Sequence, residues 1–158
     1  LCRRNRTRME FRTPVHIAPF GFRIGHSHKG LLVGSCFADR IGRIMRNHKL
    51  PVTVNPFGTL FNPASIAATL KRLEERRSYD AGDLTRYEER WISFDHHGAF
   101  DGSDCEQTLR RINEALETGA EALRTADRVL LTFGTAWVYE HDGEVVANCH
   151  RRPAAEFS

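Results

Sequence analysis

Ser35 stands in the stretch Gly34-Ser35-Cys36-Phe37-Ala38, at a change of pattern. Before it runs a short apolar segment, Gly30-Leu31-Leu32-Val33; after it Phe37, Ile41, Ile44 and Met45 recur with the period of a helix. The pattern predicts a strand that bends at Gly34, where glycine permits a tight turn, into a helix. Ser35 then sits beside the unpaired N–H groups and the positive end of the helix dipole. That setting suits a nucleophile whose reaction develops an oxyanion. Serine is also among the favoured helix N-caps, and the local pattern taken alone favours that plainer role. Cys36 is one residue further on. A thiol at a helix start has a lowered pKa, but Cys36 projects differently from the turn residue before it and reads as buried and inert.

The histidines are the other reactive candidates. His96, His97 and His150 are within reach of a crevice at the end of the sheet, although packing or surface roles are the simpler reading of each. A zinc site built from His96, His97, Cys149 and His150 has suitable ligand types. Adjacent residues chelate poorly together, however, and no histidine pair has the i, i+4 spacing of a helical site, so neither a metal nor another cofactor is expected. Cys2, Cys36, Cys105 and Cys149 form no C-x-x-C pair and no disulfide framework. They read as reduced thiols, in keeping with a cytoplasmic location.

The elements that must position these groups follow from the rest of the chain. Its 158 residues fit one domain, and 41% hydrophobic with 27% charged residues is ordinary for a globular protein. No apolar stretch reaches membrane-spanning length. The net charge of +3 is mild, and the arginines at positions 3, 4, 6 and 8 read as a solvated tail over residues 1–10, not a nucleic-acid module. A second strand is expected over Pro51–Asn55 and a helix from the Asn62-Pro63 start to about Arg77. A long helix follows Ser103 or Asp104 and runs to about Arg124, then a third buried strand over Arg128–Phe133. Asp142-Gly143 predicts a hairpin joining Trp137–Tyr139 to Val145–Ala147. Alternating strands and helices imply a mainly parallel α/β sheet with helices on both faces, plus that small hairpin near the C-terminus. Right-handed crossovers place the first strand between the other two, so Ser35 faces the switch-point crevice.

Four further stretches stand in order after the Ser35 motif: Asn55-Pro56-Phe57-Gly58-Thr59-Leu60-Phe61-Asn62-Pro63, Trp91-Ile92-Ser93-Phe94-Asp95-His96-His97, the segment from Leu131-Thr132-Phe133-Gly134-Thr135 to Glu140, and Val146-Ala147-Asn148-Cys149-His150. Together they resemble the signatures of the GSCFA family, from about Phe11-Arg12-Thr13 onward. That bacterial family is similar to SGNH or GDSL-like ester hydrolases. The resemblance implies a partial three-layer α-β-α fold of flavodoxin-like, SGNH-hydrolase type, and ester chemistry with no particular substrate.

Carried over by motif, the resemblance makes Ser35 the nucleophile and Gly58, after the second strand, an oxyanion-hole donor. Where the superfamily has Gly-x-Asn-Asp, this chain has Gly134-Thr135-Ala136-Trp137, and Ala136 offers no polar side chain. Asn148 is a candidate substitute, with an ordinary hairpin role as the alternative. Asn55, Gly134, Thr135, His96, His97 and His150 are the expected lining of the site. The superfamily's base is the histidine of an Asp-x-x-His motif, and none occurs in this sequence. Residues 11–158 are therefore expected to be the N-terminal portion of the family domain, inactive alone, with the base beyond Ser158. The expected function of the parent is that of a serine esterase, deacetylase or acyltransferase on an acylated small molecule or glycan. A non-catalytic binding or accessory domain with the same fold is the alternative, and a Cys- or metal-dependent enzyme a third reading. No nucleic-acid or membrane partner is expected.

Overall fold

A computed structural model describes residues 13 and 15–158, so the tail expected over residues 1–10 lies outside the described residues. The elements run β1 (Gly30–Gly34), α1 (Cys36–Asn47), β2 (Val52–Val54), α2 (Pro63–Glu75), β3 (Thr85–Tyr87), β4 (Arg90–Ile92), α3 (Cys105–Thr125), β5 (Arg128–Thr132), β6 (Tyr139–His141) and β7 (Glu144–Val146). The main sheet has the order β2-β1-β5 and is parallel throughout. β1 is central, as right-handed crossovers require, and all five of its residues are buried.

The pleat divides the core in two. Leu32 faces α1 and packs with Ala38 and Met45. Leu31 and Val33 point the other way, against Leu60, Ile66 of α2 and Leu123 of α3. A third cluster joins α2 and α3 through Phe57, Leu73, Ile112 and Leu116. Helices therefore cover both faces of a short parallel sheet, the expected partial α-β-α arrangement. Each helix has a side-chain N-cap: Ser35 for α1, Asn62 ahead of Pro63 for α2, and Asp104 for α3. The hairpin of β6 and β7 turns at Asp142 and Gly143, both with positive φ (51° and 79°), the geometry that matches strand twist. The segment before α3, irregular in expectation, carries its own two-stranded pair of β3 and β4.

Three expectations are corrected. Cys36 is exposed, not buried: the first residue of α1 projects outward, and Ala38, two residues on, fills the core position. The inward stripe of α1 is rotated from the Phe37–Ile44 register; Phe37 and Ile44 are exposed, and Ala38, Gly42 and Met45 are the buried residues. Small residues let the helix lie close to the sheet: a Cβ on Gly42 would meet Val54 Cγ2 at 2.3 Å. Finally, β5 is not a buried strand. Among the described residues only one of its edges is paired, and Val129 and Leu131, which share the Leu31 and Val33 face, remain exposed.

Gly34 is the one residue of β1 that no other amino acid replaces without strain. Its φ is +142°, and an added Cβ would lie 2.0 Å from the Thr132 carbonyl oxygen. Gly34→Ala is expected to cost ~3 kcal/mol or more in urea unfolding, because both the backbone and the β5 contact must yield. Gly143→Ala has the positive φ without the clash and is expected to cost only about 1 kcal/mol.

Candidate functional site

The C-terminal ends of the three parallel strands meet around Ser35. The Gly34 N–H donates to Asn55 Oδ1 at 2.8 Å, and the Leu60 N–H donates to the Gly34 carbonyl at 2.9 Å. Asn55 is held in turn: its own N–H donates to the Leu32 carbonyl (2.8 Å), and its Nδ2 donates to Asp39 Oδ1 in the first turn of α1 (2.7 Å). Asn55 has φ of 45°, a left-handed conformation that asparagine tolerates better than most residues. Its side chain thus ties β1, the end of β2 and α1 together, a role not visible in its place within a motif.

Ser35 is only 5% exposed. Its N–H is shared between the Thr132 carbonyl and Thr132 Oγ1, both at 3.0 Å. Its hydroxyl lies 3.2 Å from Thr132 Oγ1 and accepts from the Phe37 N–H at 3.3 Å. The N-cap geometry is therefore present, at the end of the central strand. Gly134 lies over it, since a Cβ there would come 3.4 Å from Ser35 Cβ and 2.8 Å from the Phe61 ring. The N–H groups of Gly134 and of Thr135 both donate to the Phe61 carbonyl, at 2.8 and 3.1 Å. Thr132 is the neighbour that motif reasoning passed over; it was legible only as part of Leu131-Thr132-Phe133-Gly134.

Gly58 departs from its expected role. Its N–H donates to the Asn55 carbonyl at 2.8 Å and closes the turn Asn55-Pro56-Phe57-Gly58, so it is not aimed at an open oxyanion position. Glycine is required there for a different reason. Its φ is +85°, and a Cβ would meet that of His97 at 2.2 Å. Gly58 thus joins the Ser35 junction to a second group of side chains.

That second group lines a cavity of about 660 Å³ between β3–β4, the turn at 97–101 and the loop at 148–151. His97, Asn148 and His150 meet there, away from Ser35. His150 Nε2 donates to the Ser93 carbonyl at 2.8 Å, and its Nδ1 faces the Asp101 carboxylate at 3.1 Å. Both ring nitrogens are occupied, so His150 offers no lone pair to a serine as the chain is arranged. Asn148 Oδ1 accepts the His150 N–H at 2.9 Å, which places Asn148 beside His150 and not over Ser35. His97 Nδ1 accepts the Ala99 N–H at 3.1 Å, leaving Nε2–H as its free donor. Asp101, absent from the sequence-derived candidates, is far from His150 in the chain, and no local pattern announces their pairing.

His96 is fully buried, and it belongs to the core. Its ring packs between Phe57, Tyr79 and Phe100 with centroids at 4.3, 4.9 and 5.0 Å, and Nδ1 lies 2.9 Å from Ser93 Oγ. Burial first, then the Arg72 guanidinium and His150, lower its pKa to about 3. The imidazole is neutral, and with the proton on Nδ1 only a lone pair remains unpartnered at Nε2. Arg72 itself spans the same cluster, lying 3.7 Å over the Tyr79 ring and pairing with Asp83 at 3.1 Å. His96, His97 and His150 hold different partners, and among the described residues no group of three or more His, Cys, Asp or Glu is arranged to hold a metal ion. No helix among the described residues is long and apolar enough to cross a membrane.

Comparison with known families matches residues 29–158 to the GSCFA family. The chain belongs to the GSCFA family. None of the curated proteins and none of the solved structures matches it. Within this GSCFA chain residues from the motifs form the Ser35 junction and line the pocket that begins at His97, while His96 lies in the core.

His96 has a consequence for stability. Unfolding returns the imidazole to water, where its pKa is about 6.5, so below that value the unfolded chain binds a proton that the folded chain refuses. Stability is then expected to fall as pH drops from about 6.5 towards 3, by up to about 1.4 kcal/mol per pH unit from this residue. Urea unfolding at pH 7 and pH 5 measures it, and His96→Phe is expected to remove most of the difference. An equal loss in the variant would show that other groups carry the acid sensitivity.

Proposed function

We propose that Ser35 is the nucleophile of an SGNH-like ester hydrolase or acyltransferase acting on an acylated small molecule or glycan. The observation that carries this reading is the place of Ser35 in a GSCFA chain: the end of the buried central strand, joined directly to the N-terminus of α1. A negative charge forming at the carbonyl oxygen would be stabilised by the positive end of that helix. Ser35 Oγ attacks the ester carbonyl carbon, its proton passes to a base, the alcohol leaves, and water or a second alcohol takes the acyl group. No described histidine hydrogen-bonds Ser35 Oγ, whose partners are Thr132 and Phe37. The base therefore comes, on this proposal, from a part of the protein other than the described residues.

One observation favours the second reading, a binding domain that keeps this fold without its chemistry. Both the Ser35 N–H and the Gly58 N–H are spent on internal acceptors, and the Ser35 hydroxyl is capped and nearly enclosed. The two readings separate on one substitution. In the full-length protein, Ser35→Ala is expected to abolish hydrolysis of small acetyl esters while costing about 1 kcal/mol of stability, as for a lost cap. Undiminished turnover in the folded variant would remove Ser35 from the mechanism. Absence of turnover in the wild type across acetyl, aryl and glycan esters would favour the binding domain.

A further inference from the structure

The pocket at His97 is a second constellation, and its chemistry differs from that of the Ser35 junction. We propose that it binds the carboxylate of a small organic acid or acidic sugar, whether or not Ser35 is a nucleophile.

Its unspent groups are mainly donors. Arg151 is exposed and forms no ion pair with a described residue, so its guanidinium fork is available. His97 Nε2–H is free because Nδ1 already accepts from Ala99. The Asn148 amide is oriented by the bond from the His150 N–H to Oδ1, which leaves Nδ2 to donate on the side facing Gly98. Two N–H groups of Arg151 with one each from His97 and Asn148 match the four lone-pair sites of a carboxylate, and a guanidinium takes that group in bidentate fashion.

The local charge disfavours a dianion. Arg90 and Arg151 bring two positive charges, and Glu88 and Asp101 bring two negative ones. Asp101 is held by His150, at 3.1 Å to Oδ1, and Glu88 forms no ion pair with a described residue. A phosphate dianion would add more negative charge beside Glu88 than a carboxylate does, at a greater cost in repulsion.

The pocket is also held ready. Glu88, His150 and Arg151 have φ of 52°, 49° and 61°, so three of the seven non-glycine residues with positive φ among the described residues surround this one cavity. Such conformations persist only where the surroundings impose them, and they gather at sites that need fixed geometry. Here the fixing bonds are visible: His150 is tied to the Ser93 carbonyl, to Asp101 and to Asn148, which sets the loop that carries Arg151.

Calorimetric titration of the full-length protein with sodium glucuronate, sodium acetate, methyl glucuronate and inorganic phosphate tests the assignment. Glucuronate is expected to bind, its neutral methyl ester about 10-fold more weakly, and phosphate not to displace it. Arg151→Gln is expected to weaken glucuronate about 10-fold at unchanged near-ultraviolet circular dichroism, and His97→Ala to weaken it less. Glu88→Gln is expected to tighten it, since one of the two opposing charges is gone. Equal binding of glucuronate and its methyl ester, preference for phosphate, no binding of either carboxylate, or no tightening in Glu88→Gln would each overturn the proposal.

Discussion

The end of β1 is fixed from three directions by hydrogen bonds, and the site inherits its geometry from that junction. Asn55 Oδ1 accepts the Gly34 N–H, the Leu60 N–H donates to the Gly34 carbonyl, and Thr132 accepts the Ser35 N–H. Each bond comes from a different segment: the turn after β2, the approach to α2, and the end of β5. A buried strand end with unpaired N–H and C=O groups would be costly, so these bonds satisfy the backbone and locate Ser35 in one step. Gly34 is the steric condition for the arrangement, because any Cβ there would displace Thr132. The capping bond from the Phe37 N–H to Ser35 then starts α1 at a defined angle to the sheet.

Much of this was legible in the sequence, for physical reasons that can be named. A run buried on both faces has no alternation, and Gly30–Gly34 followed by a change to helical period marks β1 and α1 with their shared boundary. Asn62-Pro63 and Asp104 announce the starts of α2 and α3 because caps work through their own side chains. What was not legible depends on distant surroundings. The inward face of α1 is set by Ala38 and Gly42, which permit close approach to the sheet where the bulkier Phe37 and Ile44 do not. β5 has a buried strand's composition, yet its exposure is set by whether a neighbour pairs with its second edge. Gly58 has the right place in a motif, but the direction of its N–H is a property of the Asn55 turn.

The candidate residues divide along the same line. Ser35, Asn55, Gly134 and Thr135 do gather at the strand ends. His97, Asn148 and His150 gather at a pocket whose walls were not foreseeable, since the left-handed backbone of His150 and Arg151 has no compositional sign and Asp101 is remote in sequence. His96 is set apart from both. Its aromatic cage gives it a structural role and keeps it neutral, so two adjacent histidines in one motif do unlike things. Gly58, packed against His97, lies between the junction and the pocket.

The central claim is that the hydroxyl at the end of β1 is a nucleophile and more than a cap. Incubation of the full-length protein with a fluorophosphonate, followed by peptide mapping, addresses it directly. A single phosphonyl adduct on the peptide containing Ser35, lost on prior heat denaturation, is the expected result. Labelling of another residue, or none in folded protein, would contradict the account and leave Ser35 as the N-cap of α1.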